Sequence, residues 1–443
     1  MDMKVFNATG TVITGNCSQV KIPGVENHKP SIAILNEKEM LLFTLHRHYE
    51  EDAHGGPCTI YHTVMYHSYD GGSTWGKGKH MPFEGYEPSA SVIDGVVFVQ
   101  THLYPNMFNN DFENCIALLY RSEDNGKTWT ETKFTPAFFG INSNPVLCMS
   151  RNLIKLPDGS IIGFVWSLGE YQYRVKSVDK GRSWSVDIVD DSNIRFKEGA
   201  YRPIMAEAVS FITPSKRLMA VARVTLSNLE NERIPHLYHA ESFDTDEGDG
   251  MLLIESKDFG LTWYAVRGMG YGGMMYPSVV YLDENRFVFT YTLRSSSASI
   301  GAPYRHVGMQ AVIGTEKEDG SFSVDFDHDI IILDDETPDE VMTSDGYGMT
   351  NMNFDGTLLT PCCYAVAKKE YKEMIQSGEC FKTPDIFSAL YEETGKSDIY
   401  KGPDIKWWNE ATPEWKKVII HECACQLGLI RYKSKVLKWK VKE

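Results

Sequence analysis

Short runs that alternate apolar and polar positions recur through most of this chain. His28-Lys-Pro-Ser-Ile-Ala-Ile-Leu35, Tyr86-Glu-Pro-Ser-Ala-Ser-Val-Ile93, Ser143-Asn-Pro-Val-Leu147, Met205-Ala-Glu-Ala-Val-Ser-Phe211 and Met275-Tyr-Pro-Ser-Val-Val-Tyr-Leu282 each set a proline or small residue at or near the head of the run. Ser344-Asp-Gly-Tyr-Gly-Met349 is a weaker sixth start. Several are followed by a turn and a second apolar run, such as Arg217-Leu-Met-Ala-Val-Ala222 and Arg286-Phe-Val-Phe-Thr-Tyr291. Alternation over such lengths predicts half-buried strands.

A second pattern punctuates the first. Ser68-Tyr-Asp70-Gly-Gly72-Ser-Thr74-Trp75 returns at 122–129, 177–184 and 256–263 as Ser-x-Asp-x-Gly-x-Thr/Ser-Trp. An Asp side chain can accept bonds from the backbone just beyond it. Gly supplies a positive φ, and Trp packs a large flat surface. The stretch therefore reads as a rigid hairpin turn. Trp75, Trp129, Trp184 and Trp263 stand 54, 55 and 79 residues apart, a spacing suited to propeller blades. The fold expected is all-β: one six-bladed propeller domain of four-stranded blades over residues 1–443. An irregular pair of β-sandwiches is the alternative.

The ends of the chain fit a ring. Residues 1–22 predict a strand that completes the last blade by pairing with the C-terminal chain. Ala367-Lys-Lys-Glu-Tyr-Lys-Glu-Met-Ile-Gln376 predicts a short helix stopped at Gly378, inside an insertion of about 367–415. Trp407-Trp408 reads as packing of that insertion or as a sugar-stacking platform. His421, Cys423 and Cys425 would share one strand face, too few ligands for a structural zinc. The last stretch, 429–441, reads as an edge strand guarded by lysines.

Composition narrows the class. With 23% charged and 12% aromatic residues, the chain of 443 is a folded protein. A net charge of −16 argues against nucleic acid as a partner. No apolar stretch reaches membrane-spanning length. Nine cysteines without a spaced framework favour free thiols. The first residues lack the apolar core of a signal peptide, so the expectation is a cytoplasmic protein, or a secreted one whose leader has been removed.

Chemistry is sought where a propeller delivers side chains to its axis: the starts of the inner strands and the loops after them. Those places supply Asp52, within the titratable stretch 45–56, Glu207 at the start of blade four, Arg223 on its neighbour, and Tyr276 in blade five.

With these residues in view, the repeated turns resemble the Asp-boxes of the sialidase (neuraminidase) superfamily, six-bladed propellers with an axial exo-glycosidase site. That family opens with Arg-Ile-Pro, matched here by His28-Lys29-Pro30, and Asp52 follows at the family's spacing. Glu207 and Arg223 keep the separation of its Glu and Arg, and Tyr276-Pro-Ser278 stands at its nucleophilic Tyr. The resemblance covers roughly residues 20–300. It implies Tyr276 as nucleophile, Glu207 as the base for that phenol, and Asp52 as acid and base. Arg223, Arg47 and His28 are the implied substrate contacts. A Tyr nucleophile is a recognised exception to the two-carboxylate scheme.

The departures bear on substrate. Sialidases grip a carboxylate with three arginines. Here the first position is His28, and the third falls in Asp246-Glu-Gly-Asp-Gly250. Arg202, Arg233, Arg294 and Arg305 are possible substitutes, while Lys29 should point to the opposite strand face. The expectation is a retaining exo-glycosidase that removes a terminal sugar, sialic acid or, in preference, a sugar without a sialic-type carboxylate or with its acid group elsewhere, without cofactor or metal. Its partner would be an oligosaccharide or glycoconjugate. A non-catalytic carbohydrate-binding propeller and a polysaccharide lyase using histidines with a Tyr are the alternatives.

Overall fold

The computed structural model describes the chain apart from residues 1–2, 11–13, 25–26, 52–56, 104–115, 142–145, 168–171, 199–204, 206, 231–233, 239–247, 295–300, 338–345, 384, 387–404, 412 and 442–443. Six antiparallel sheets follow one another around a ring. Blade one is Asn27–Ile34, Met40–Glu51, Pro57–Ser68 and Lys79–Glu84, ordered from axis to rim. Blade two runs from Tyr86–Ile93 to Thr130–Phe134, and blade three from Leu147–Met149 to Ser185–Val189. Blade four runs from Val209–Ile212 to Tyr264–Gly268, and blade five begins with Met274–Tyr281. The six-bladed, four-stranded architecture read from the periodicity is the one observed.

Blade six closes the ring with both ends of the chain. Its strands are Asn351–Met352, Leu358–Ala367, Ile430–Val441 and, outermost, Thr14–Lys21. Of the strand expected over residues 1–22, Lys4–Phe6 adds to the rim of blade five against Ile330–Ile332, whereas Thr14–Lys21 pairs with the C-terminal strand as expected. For that reason Ile430–Val441 is not an edge. It lies between two strands, and Lys435 is fully buried against Asp334 and Glu336.

Each repeated turn joins the third strand of a blade to the outermost one, in blades one to four. In the second copy Asp124 accepts the Thr128 N–H at 2.8 Å and the Thr128 hydroxyl at 2.6 Å. The Ser122 hydroxyl donates to Asp124 and accepts the Gly126 N–H. The other copies repeat these bonds around Asp70, Asp179 and Asp258. The turns also fasten neighbouring blades. A Cβ on Gly181, which has φ +79, would stand 2.4 Å from Phe98 of the preceding blade. Trp263 packs on Phe164, and Trp75 joins Leu359 and Val436 of blade six.

Two further expectations change. The titratable stretch after Leu45 is not simply a loop, because Met40–Glu51 and Pro57–Ser68 pair as a hairpin as far as Glu51 and Pro57. His421, Cys423 and Cys425 lie on the helix Pro413–Gln426, not on a strand. His421 and Cys425 are one turn apart there, and His421 Nε2 meets the Tyr432 hydroxyl at 2.8 Å. The helix Lys369–Ser377 ends at Gly378 in a left-handed conformation, where its stop signal stands. Trp408 is buried in the core of this helical segment, with Tyr371, Cys423 and Tyr432. That position suits packing, not a stacking platform. No helix among the described residues is long and apolar enough to cross a membrane.

Candidate active site at the propeller axis

Five side chains reach the axis from the same kind of backbone distortion. Lys29, Glu87, Glu207, Tyr276 and Tyr347 head the inner strands of blades one, two, four, five and six, with φ of 47°, 57°, 49°, 57° and 53°. In blades one, two and five the strand register slips at this point, between His28 and Ser31, Tyr86 and Ser89, and Met275 and Ser278. A non-glycine residue in the left-handed region costs roughly 1–2 kcal/mol. Such strain persists only where the surroundings enforce it, and it gathers at functional sites. The bulge also removes strict alternation. Lys29 therefore does not point away from the pocket: its ammonium contacts Glu87, bonds the Tyr86 hydroxyl at 3.0 Å and lies over the rings of Tyr86 and Tyr347.

At the centre of this group is Arg151, which follows the inner strand of blade three and is held by its N–H on the Ala208 carbonyl. Its Nη1 is 2.5 Å from Glu87 Oε2, its Nη2 2.8 Å from Glu207 Oε1, and its guanidinium stacks 3.9 Å over the Tyr276 ring. The second oxygen of Glu207 accepts from Arg223 at 2.9 Å, and Arg223 also donates to Asp249 at 2.7 Å. Charges thus alternate around the axis: Lys29, Glu87, Arg151, Glu207, Arg223, Asp249. Between blades two and three a small crevice with about 10 Å³ of free volume, room for about one water, opens beside this arc, lined by Glu87, Gln100, His102, Ser150 and Arg151 among others.

The electrostatics follow from burial and pairing. Burial alone would raise the Glu207 carboxyl, yet Arg223 and Arg151 outweigh it and hold the group well below the usual range. Burial pushes the Tyr276 phenol up to about 12, with Arg151 pulling against it. Tyr347 is likewise pushed up to about 12 by burial. Burial, then Arg151 and Lys29, push His102 down to about 3, so its ring is neutral at pH 7. Burial and Arg151 lower the Lys29 ammonium, with Glu207 opposing.

Of the residues singled out from the sequence, Glu207, Arg223 and Tyr276 meet at this axis. Glu207 and Tyr276 are joined through Arg151, and among the described residues no hydrogen bond links the two directly. His28 is buried in the wall behind, stacked on Tyr432 at 4.5 Å and edge-on to Tyr347. Asp52 and Arg202 lie outside the described residues, and Arg47 is placed only as part of the strand Met40–Glu51. Arg294 half-faces the group and reaches Met275. Sequence reasoning missed Lys29, Glu87, Arg151, Asp249 and Tyr347. A signal for two existed: Lys29-Pro30 and Glu87-Pro88 repeat the Tyr276-Pro277 pair. Arg151 carries no such mark.

No model of a known protein family matches the chain, and no curated protein matches it. Solved structures do. A protein of unknown function from Dyadobacter fermentans superposes with a TM-score of 0.53 at 16% identity, over 80% of this chain and 95% of that one. The NanB sialidase of Streptococcus pneumoniae gives 0.52 at 12%, over 81% of this chain and 67% of that one. The intramolecular trans-sialidase of Ruminococcus gnavus gives 0.50 at 13%, over 82% and 92%. The chain therefore has the six-bladed fold of the sialidases. At such identity the likeness carries the fold and not the chemistry, which rests on the residues at the axis.

Proposed function

We propose that the axial site is that of a retaining exo-glycosidase acting on a terminal sugar without a sialic-type carboxylate. The observation that carries this reading is the delivery of Glu207 and Tyr276 to one point by the same strained turn in adjacent blades, with Arg151 touching both. The sialidases among the structural neighbours support the glycosidase class. Tyr276 attacks the anomeric carbon, and its buried phenol needs help to lose its proton. Arg151 over the ring favours the phenolate, and Glu207 takes the proton. Asp52 is the proposed acid for the leaving oxygen and then the base for water. The substrate argument comes from charge. Arg223 is already bound by Glu207 and Asp249, the latter in the segment where the third arginine of a sialidase is missing. Losing two charge-assisted contacts of roughly 1.5–3 kcal/mol each weakens a sialoside by about 10²-fold or more.

A panel of fluorogenic neutral, uronic-acid and sialic-acid glycosides tests this. Release from a neutral glycoside is expected, and Tyr276→Phe should abolish it without changing the melting temperature. Full activity in that variant would remove Tyr276 from the mechanism. Rapid release from the sialoside alone would show that the remaining cations rebuild the clamp. A product that absorbs in the ultraviolet would mark a lyase instead.

A further inference from the structure

Glu87 sets its carboxylate between two buried cations at the axis. It stands at the head of blade two, one oxygen on the Lys29 ammonium of blade one and the other 2.5 Å from Arg151 Nη1 of blade three. All three side chains are more than nine-tenths buried, at 7%, 6% and 3% exposure for Glu87, Lys29 and Arg151. A guanidinium and an ammonium converging on one carboxylate form a strong anion-binding arrangement. Where such cations serve a ligand, the anion arrives with it. In this chain the anion is covalently part of the wall, beside the small crevice that the buried Gln100 and His102 also line.

We propose that Glu87 is a specificity-determining residue: a built-in counter-ion that occupies the Lys29–Arg151 anion site and so excludes acidic sugars from the axial site. The sugar arm of this inference rests on the reading of the axis as a sugar site; the anion arm does not. The left-handed backbone that Glu87 shares with Lys29 and Tyr276, each before a proline, is what turns its carboxylate to the axis. With Glu87 present, an incoming carboxylate finds both cations engaged and a like charge beside them. With Glu87 removed, two buried cations lack part of their compensation, which is costly unless an anion enters.

Acetate is the probe for the anion arm. Thermal unfolding of the wild type, Glu87→Ala and Glu87→Gln is compared in sodium acetate and in sodium chloride at equal ionic strength. Acetate should raise the melting temperature of Glu87→Ala, whose lost side chain leaves room for it, and leave the wild type unmoved. For the sugar arm, galactose and galacturonate differ only in replacing CH₂OH by a carboxylate. Calorimetry should show the wild type preferring galactose, and Glu87→Ala, which vacates the cradle, gaining affinity for galacturonate by about 10- to 100-fold, with the isosteric Glu87→Gln gaining less. An absent acetate response in folded Glu87→Ala, or wild-type binding of galacturonate as tight as that of the variant, would overturn the proposal. If the alanine variant does not fold, Glu87→Ser, which also vacates the cradle, decides through acetate and galacturonate. A wild type that binds neither sugar counts against the sugar-site reading, and the acetate response then tests Glu87 alone.

Discussion

Arg151 does more at the axis than any residue that a motif marks. It pairs with Glu87 and Glu207 and stacks on Tyr276, so three side chains depend on one guanidinium. Removing one member of a buried ion-pair group strands its partners at a cost of about 3–5 kcal/mol. Arg151→Met should therefore lose stability of that order in a chemical denaturation curve. Arg151→Lys, which keeps the charge but not the planar fork, should lose clearly less. The same variant separates structure from chemistry. Arg151 depresses Glu207 and Tyr276 alike, so Arg151→Met should move the acid limb of any pH–rate profile upward, because Glu207 then protonates at a higher pH. An unmoved limb would mean that Arg151 acts on stability only.

At the scale of the element, the repeated turn is a unit of local chemistry with a distant consequence. Bonds from the Thr side chain and backbone hold Asp70 and Asp124 at about 2. An unfolded Asp titrates near 4. Folding therefore disfavours the protonated form, so the stabilisation is complete above about pH 4 and fades as the pH falls toward 2. Asp124→Ala should cost about 1 kcal/mol at pH 7, comparable to a lost helix cap, and the cost should shrink at pH 2 when melting curves are compared. Gly181→Ala tests the long-range part. It sets a Cβ against Phe98 on a backbone with φ +79, and should cost about 2 kcal/mol or more at any pH. Equal pH dependence in the two variants would contradict this division.

Across the whole molecule, closure depends on one strand. Thr14–Lys21 covers the outer edge of Ile430–Val441 and joins the two ends of the ring. A chain lacking residues 1–22 would expose that edge, open blade six and uncover Ile330–Ile332 at the rim of blade five, where Lys4–Phe6 pairs. It should melt at a markedly lower temperature than the full chain and associate through the uncovered strand, as size-exclusion chromatography would show. A second contact runs through the same blade to the axis. Tyr432 belongs to the core of the helical segment, and its ring stacks on His28, which in turn meets Tyr347. On the proposed reading of the axis as a sugar site, Tyr432→Leu, which loses both the stack and the His421 bond, should weaken sugar binding, whereas Tyr432→Phe, which keeps the ring, should lower stability alone. Calorimetry beside a melting curve distinguishes the two effects.

What the sequence determined by itself was periodic. Alternating apolar positions and four copies of one turn specify blades, because hairpin geometry and strand burial are local properties that repeat with the residues that cause them. Three axial residues, Glu207, Arg223 and Tyr276, were legible in the same way, through spacing. The tertiary structure alone decided the rest. Lys29 reaches the axis only because a bulge breaks the alternation that pointed it elsewhere. The alternating charge of the arc exists only once different blades bring Glu87 within bonding distance of Lys29 and Arg151, and Arg151 within that of Glu207. The last strand, which its lysines mark as an edge, is interior because the first residues of the chain lie beside it. Long-range pairing leaves no local signature, since neither partner's neighbours record which distant residue it will meet.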